Sequence, residues 1–232
     1  TGLESLQKTA LNRLSYELDH QILADGGHVS RNGQTLLDLL VLLVPLREAL
    51  NTALIEIPGP VNAALERMLP MLRFLSHNDG GLAVFNGVSR TSAGRIKAVL
   101  ERDHIHGRPL NVAPLTGYCR IAHARASIVM DTGMPPAPGR NPNATCSPLA
   151  FELCDGPHRI VVNCGSRQGA DAQWQAASRR TSAHSTMTLG ELDTSTVIDN
   201  FFTRQLFDTP ALITDGQADA EVRSEDHGSI IS

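Results

Sequence analysis

The sequence predicts an α+β chain, helical up to about residue 105 and folded beyond it as an antiparallel β-sandwich running to residue 232. Three observations predict this. In the first half, apolar residues recur every three or four positions, the period of an amphipathic helix. After about residue 110 they give way to short runs with alternation and β-branched residues. Those runs are separated by turn signals at short intervals, the pattern of an antiparallel sandwich.

The elements follow in order. In "LESLQKTALNRLSYELDHQIL", Leu3, Leu6, Ala10, Leu14, Leu18 and Ile22 share one helical face. The helix stops at Asp25-Gly26-Gly27, where glycine permits the terminating turn. A second helix spans about Thr35 to Leu50, and Pro45 is expected to kink or divide it. A third spans about Pro60 to Leu75, with Pro60 suited to a first helical turn and Pro70 forcing a bend. "HNDGG" (77–81) closes it, and a short helix follows over residues 93–101. Residues 103–114 form the linker, which divides the chain into a helical portion, 1–105, and a sandwich portion, 106–232. In the second half, residues 117–131 read as strand and 132–144 as a proline- and glycine-rich loop. "LAFEL" (149–153) and "RIVVN" (159–163) flank a hairpin turn, and "STMTL" (185–189) and "ADAEVRS" (218–224) are further strands. No internal repeat stands out.

Composition excludes several functions. The formal net charge is −4 without a long basic run, which argues against nucleic-acid binding. The most apolar run, "LLDLLVLLVPL" (36–46), is too short to span a bilayer and contains Asp38 and Pro45. Cys119, Cys146, Cys154 and Cys164 form no C-x-x-C pair and are expected to be buried free thiols. His104 and His106 have no companion set at ligand spacing, so neither metal nor cofactor is expected. The chain lacks an initiator Met and ends on strand-like "GSIIS", so it reads as an internal piece of a longer protein.

Five segments, "ILADGGHVSRNGQTLLDLL", "MLPMLRFLSHNDGGLAVFNG", "GYCRIAHARASIVMDTG", "LAFELCDGPHRIVVNCG" and "RRTSAHSTMTL", occur in an order that resembles heparinase II/III-like proteins, in their alphaproteobacterial branch. The resemblance implies the last part of an incomplete α/α toroid followed by a β-sandwich. It also implies a polysaccharide lyase that cleaves an acidic, uronate-containing glycan by β-elimination, in the periplasm or cell envelope. That reaction needs a neutralised carboxylate, a base for the α-proton and an acid for the leaving oxygen. The sequence departs from the pattern at two places. Gln34, Thr35 and Leu36 stand where lyases commonly carry a Tyr-His pair, and no histidine lies between Asn143 and Leu153. The alternative is a non-catalytic carbohydrate-binding or envelope-biogenesis protein on the same scaffold.

His184 is the candidate catalytic residue, because imidazole titrates near neutrality and both donates and accepts. It is expected on a strand, pointing toward the cleft, with Met187 and Leu189 packed inward on the opposite face. Arg179 and Arg180 precede it and suit an anionic sugar. His28, Arg31 and Asn32, on the loop after the first helix, are types that bind a carboxylate. His77 and Asn78 occupy the corresponding loop after the third helix. Tyr16 and Tyr118 are expected to be structural.

Overall fold

The computed structural model describes residues 2–102, 110–166, 171–190, 192–198, 202, 205–206, 211–213, 222–225 and 228–231. Four helices come first: α1 (Gly2–Gln21), α2 (Gly33–Thr52), α3 (Gly59–Leu75) and α4 (Ala93–Leu100). A five-stranded antiparallel meander follows: β1 (Val112–Ala113), β2 (Tyr118–His123), β3 (Ala126–Asp131), β4 (Phe151–Asp155) and β5 (His158–Val161). Beyond it lie a short helix α5 (Ala172–Ser178) and two two-stranded antiparallel ribbons. The first pairs β6 (Thr196–Ile198) with β7 (Ala211–Ile213), and the second pairs β8 (Val222–Glu225) with β9 (Gly228–Ile231). The chain is therefore α+β, helices first and antiparallel strands after, as its periodicity predicts. No helix among the described residues is long and apolar enough to cross a membrane.

Helix α3 packs against both α1 and α2, and its apolar residues explain why. Val61, Leu65, Met68, Leu69, Leu72 and Phe74 are all buried, so the helix is apolar around most of its circumference and needs partners on more than one side. Pro45 and Pro70 do not divide their helices, since α2 and α3 run through them without a break. The helical part and the sheet share one core, with Tyr118, Val129 and Ala150 joining the helical leucines. The two portions therefore pack as one body.

Several local expectations are corrected. Residues 117–131 form two strands joined at Ala124, whose φ of 50° makes the tight turn. Residues 185–189 form no strand. The strand expected at 218–224 appears as β8 from Val222, and residues 218–221 lie outside the described set. Part of the linker, with His104 and His106, also lies outside it, and its end pairs as β1. Helix α5 was not foreseen. It is seven residues long, begun by Asp171, which accepts from Trp174 N. All four cysteines are free, but Cys164 is exposed rather than buried.

An internal repeat does exist, and it positions the loops at the helix ends. Asp25-Gly26-Gly27 and Asp79-Gly80-Gly81 are each followed, after four residues, by Asn-Gly: Asn32-Gly33 and Asn86-Gly87. Both loops are closed by an isolated antiparallel bridge, Ile22 with His28 and Ser76 with Leu82. In both, the aspartate accepts from the second glycine's N–H (3.2 and 2.9 Å) and then reaches across to the sheet portion. Asp25 accepts from Leu115 N, Thr116 N and Thr116 Oγ1, while Asp79 pairs with Arg159. Gly26 is obligatory: φ is 89°, and a Cβ there would lie 2.0 Å from the Arg67 carbonyl oxygen.

Candidate functional site

The first helix-end loop does not face a cleft. Arg31 sits at φ 56° with its guanidinium buried against the sheet. Its Nε donates to Thr116 O (2.6 Å) and its Nη2 to Gly117 O (2.8 Å) and the Asp131 carboxylate. Its Nη1 donates to Gly133 O and Met134 O, and the Tyr118 ring lies 4.9 Å from the guanidinium carbon. Burial opposes the charge on Arg31, but the adjacent Asp131 carboxylate more than restores it, raising the guanidinium above its ordinary range. Asn32 caps α2 by accepting from Gln34 N and Thr35 N, and its amide donates to Asn86 O. His28 accepts from Ser30 N at Nδ1, and its Nε2 bonds Gln21 Oε1 at 3.1 Å. Burial first, and the charge of Arg140 second, push its pKa down to about 4. It is neutral at pH 7 and adds no positive charge for a carboxylate.

The second loop is spent in the same way. His77 Nε2 donates to Glu152 Oε2 at 2.8 Å, with both side chains fully buried. Glu152 Oε1 accepts from Asn163 N. Arg159 grips Asp79 through two N–H groups and thereby holds the Asp79 carboxyl below its usual range. Asn78 and Asp79 are exposed. Along one face of the sheet, Arg120, Asp131, Glu152 and Arg159 each reach a helix-end group; Arg120 does so by donating to Phe74 O and Ser76 O at the end of α3. Charged residues at alternate strand positions thus serve as fasteners between sheet and helices.

The proline-rich loop closes what the helix-end loops leave open. Asn141 donates to both Ser30 O (3.0 Å) and Asn86 O (2.9 Å), joining the two repeats. Asn143 packs so closely on Gly87 that a Cβ there would meet it at 2.5 Å. Beyond this strap lies a cavity of about 1170 Å³, lined by Pro142, Asn143, Thr145 and Cys146, by α5, by Arg179 and Arg180, and by residues 192–193 and 195–197. Arg179 Nε donates to Ala144 O, and Arg180 Nε to Asp193 Oδ2 at 3.1 Å.

His184 is not on a strand. It follows a single 3₁₀ turn, Thr181–Ala183, and its imidazole is buried. Nε2 donates to Ser178 O at 3.1 Å, while Nδ1 is buried without a hydrogen-bond partner. Burial favours the neutral ring and lowers its pKa, against the bond to the Ser178 carbonyl, which acts to raise it. Met187 and Leu189 point outward, 88% and 78% exposed, the reverse of the expected phase. Apart from a single bridge from Leu189 to Leu192, the segment has no ladder partner among the described residues to set an alternating phase. Polar bonds fix it instead: Ser185 N to Asn163 Oδ1, Ser185 Oγ to Val162 O, and Thr186 Oγ1 to Pro148 O. His184 therefore stands one hydrogen bond behind the cavity wall, through Ser178.

Of the predicted site residues, the structure brings Arg179, Arg180 and, indirectly, His184 to the cavity. His28, Arg31 and Asn32 lie in the closed junction, and His77 in a second buried cluster. Sequence reasoning missed Asp25, Asn86, Asp131, Asn141 and Glu152. The repeated D-G-G-x₄-N-G pattern would have pointed to the first two, but nothing local marks the rest. Tyr118 is structural, donating to Arg31 O at 2.6 Å and accepting from Asn86 Nδ2. Tyr118→Phe is expected to cost about 1–3 kcal/mol through the unpaired groups it leaves. Ligand affinity should not change, as read by urea denaturation alongside glycan titration.

The comparisons with known proteins agree with this architecture. The FtsZ-localized protein C of Caulobacter vibrioides is 32% identical over 224 residues, covering 96% of this chain but 38% of that protein. The crystal structure of heparinase III matches with a TM-score of 0.65 at 12% identity, over 84% of this chain and 37% of the other. The heparan sulfate lyase HepC from Pedobacter heparinus matches with a TM-score of 0.63 at 17% identity, over 83% and 35%. At such identities the solved structures establish the fold alone. The chain spans less than two-fifths of the length of each of these relatives. The model of the heparinase II/III-like C-terminal domain matches residues 105–229, more than half the chain, and on this ground the chain belongs to the heparinase II/III-like family.

Proposed function

We propose that this chain is part of a non-catalytic, glycan-binding protein on the heparinase scaffold that localises with FtsZ. One observation carries the reading: the groups on the first helix-end loop expected to neutralise a substrate carboxylate are consumed inside the protein. Arg31 spends its guanidinium on four carbonyls and Asp131, and Asn32 caps a helix. His28 is neutral and bonded at both nitrogens. These helix-end groups therefore offer no free positive charge or donor to a carboxylate and cannot acidify its α-proton for β-elimination. Neither tyrosine lines the cavity: Tyr118 is buried in the junction, and Tyr16 lies on the exposed side of α1. The Caulobacter relative is named for localising with FtsZ rather than for an activity, which supports both parts of the reading.

Lyase activity on an acidic, uronate-containing glycan is the second reading. It is favoured by the family and by His184 lying just behind a cavity that carries Arg179 and Arg180. The full-length protein, incubated with a panel of acidic glycans and followed by ultraviolet absorbance of unsaturated uronate products, separates the two. No product is expected, and a fluorescent fusion is expected to gather with FtsZ. Product formation that His184→Ala abolishes would sink the non-catalytic reading.

A further inference from the structure

The proline-rich strap is tied to a titratable ring through one residue, Ser30. The Ser30 carbonyl accepts from Asn141 of the strap at 3.0 Å. Its N–H donates to His28 Nδ1 at 3.1 Å, and its hydroxyl lies 2.7 Å from the same nitrogen. The hydroxyl oxygen accepts from Asn32 N, so its own proton goes to Nδ1. His28 Nε2 then donates to Gln21 Oε1. This set of bonds requires the neutral ring with its proton on Nε2.

A proton on Nδ1 reverses the chemistry. The Ser30 N–H and O–H lose their acceptor and meet a charged N–H instead, and Ser30 is 4% exposed. The new charge also meets that of Arg140, the strap residue next to Asn141, which already acts on the ring. The other elements around the ring offer no compensation. Asp25, on the same loop, is taken up by Leu115 and Thr116, and Asp131, on the sheet, by Arg31 and Asn86. On α1, Glu17 is engaged by Gln21 rather than by the ring. From α3, the backbone carbonyl of Arg67 packs on Gly26.

We propose that the strap, residues 132–144, is an acid-released latch: protonation of His28 breaks the Ser30 tie and frees the strap from the helix-end loops. The strap walls part of the cavity through Pro142 and Asn143, so its release opens that wall, whatever the cavity binds.

The direction of the pH effect follows from the two states of the ring. Burial and Arg140 lower the His28 pKa in the closed state from 6.5 to about 4, and opening restores the ordinary value. The stability of the closed latch is therefore fully present above about pH 6.5 and is lost as the pH falls toward 4. The open fraction should rise about ten- to thirtyfold between roughly pH 8 and pH 5.

Hydrogen exchange of the full-length protein at about pH 8 and pH 5, read by mass spectrometry and corrected for the intrinsic pH dependence of exchange, tests this. Protection of residues 141–146 is expected to fall by that factor, while protection of α3 holds. His28→Gln keeps an acceptor for Ser30 and a donor for Gln21 but does not titrate, and should remove the fall. Arg140→Gln, at an exposed position, should raise protection of the strap at acid pH about two- to threefold. His184→Gln should leave the fall in place, because that ring is tied to Ser178 and not to Ser30. Equal protection at both pH values would overturn the latch. So would an equal fall in the wild type and His28→Gln, or a fall abolished by His184→Gln. Should His28→Gln not fold, Arg140→Gln decides alone, and unchanged protection at acid pH overturns the proposal.

Discussion

Replacing Arg31 with methionine is expected to cost about 3–5 kcal/mol of stability, the penalty for removing one partner of a buried ion pair. The variant leaves the Asp131 carboxyl 2% exposed without its counter-charge, where burial already raises its pKa, and strips donors from four carbonyls on two segments, Thr116–Gly117 and Gly133–Met134. These carbonyls belong to the start of the sheet and to the strap, so both should loosen from the helices together. The double variant Arg31→Met with Asp131→Leu should recover part of the loss, since no buried charge then stands alone. Urea denaturation followed by circular dichroism reads both. An unchanged midpoint with lost glycan binding would show instead that Arg31 serves a ligand, and the non-catalytic reading would lose its main support.

Glu152→Ala is the second large effect, again about 3–5 kcal/mol. Glu152 is fully buried on β4 and accepts from His77 and from Asn163 N, with Arg159 3.5 Å away. Removing it orphans a histidine N–H and a backbone N–H in a site without access to water. A double-mutant cycle with His77→Leu should reveal a coupling of about 1–3 kcal/mol, because the two side chains are in direct contact. A coupling near zero would mean that His77 is held by its surroundings rather than by Glu152, and the pair would not fasten the helices to the sheet.

These two clusters show where sequence reading stopped. The residue types at 28, 31, 32 and 77 suit carboxylate binding, and the sequence names them correctly as polar groups on helix-end loops. It does not say what they face. Their partners, Asp131, Asn141 and Glu152, lie far along the chain, and each by itself reads as an ordinary strand or loop residue. Likewise, Met187 and Leu189 were expected inward because alternation implies a sheet face. The segment has no ladder, so polar anchors at Ser185 and Thr186 set its course and His184 turned inward instead.

The sequence by itself determined the order of helices and strands, the turns at Asp-Gly-Gly beyond the ends of α1 and α3, the hairpin of β4 and β5, and the family. All of these are written in local period and in residues whose backbone freedom is intrinsic. The tertiary structure alone decided which polar residues are spent as fasteners and which are left around a cavity. That choice depends on which donors and acceptors meet once burial has removed water, and burial is a property of the packed chain rather than of any segment in it.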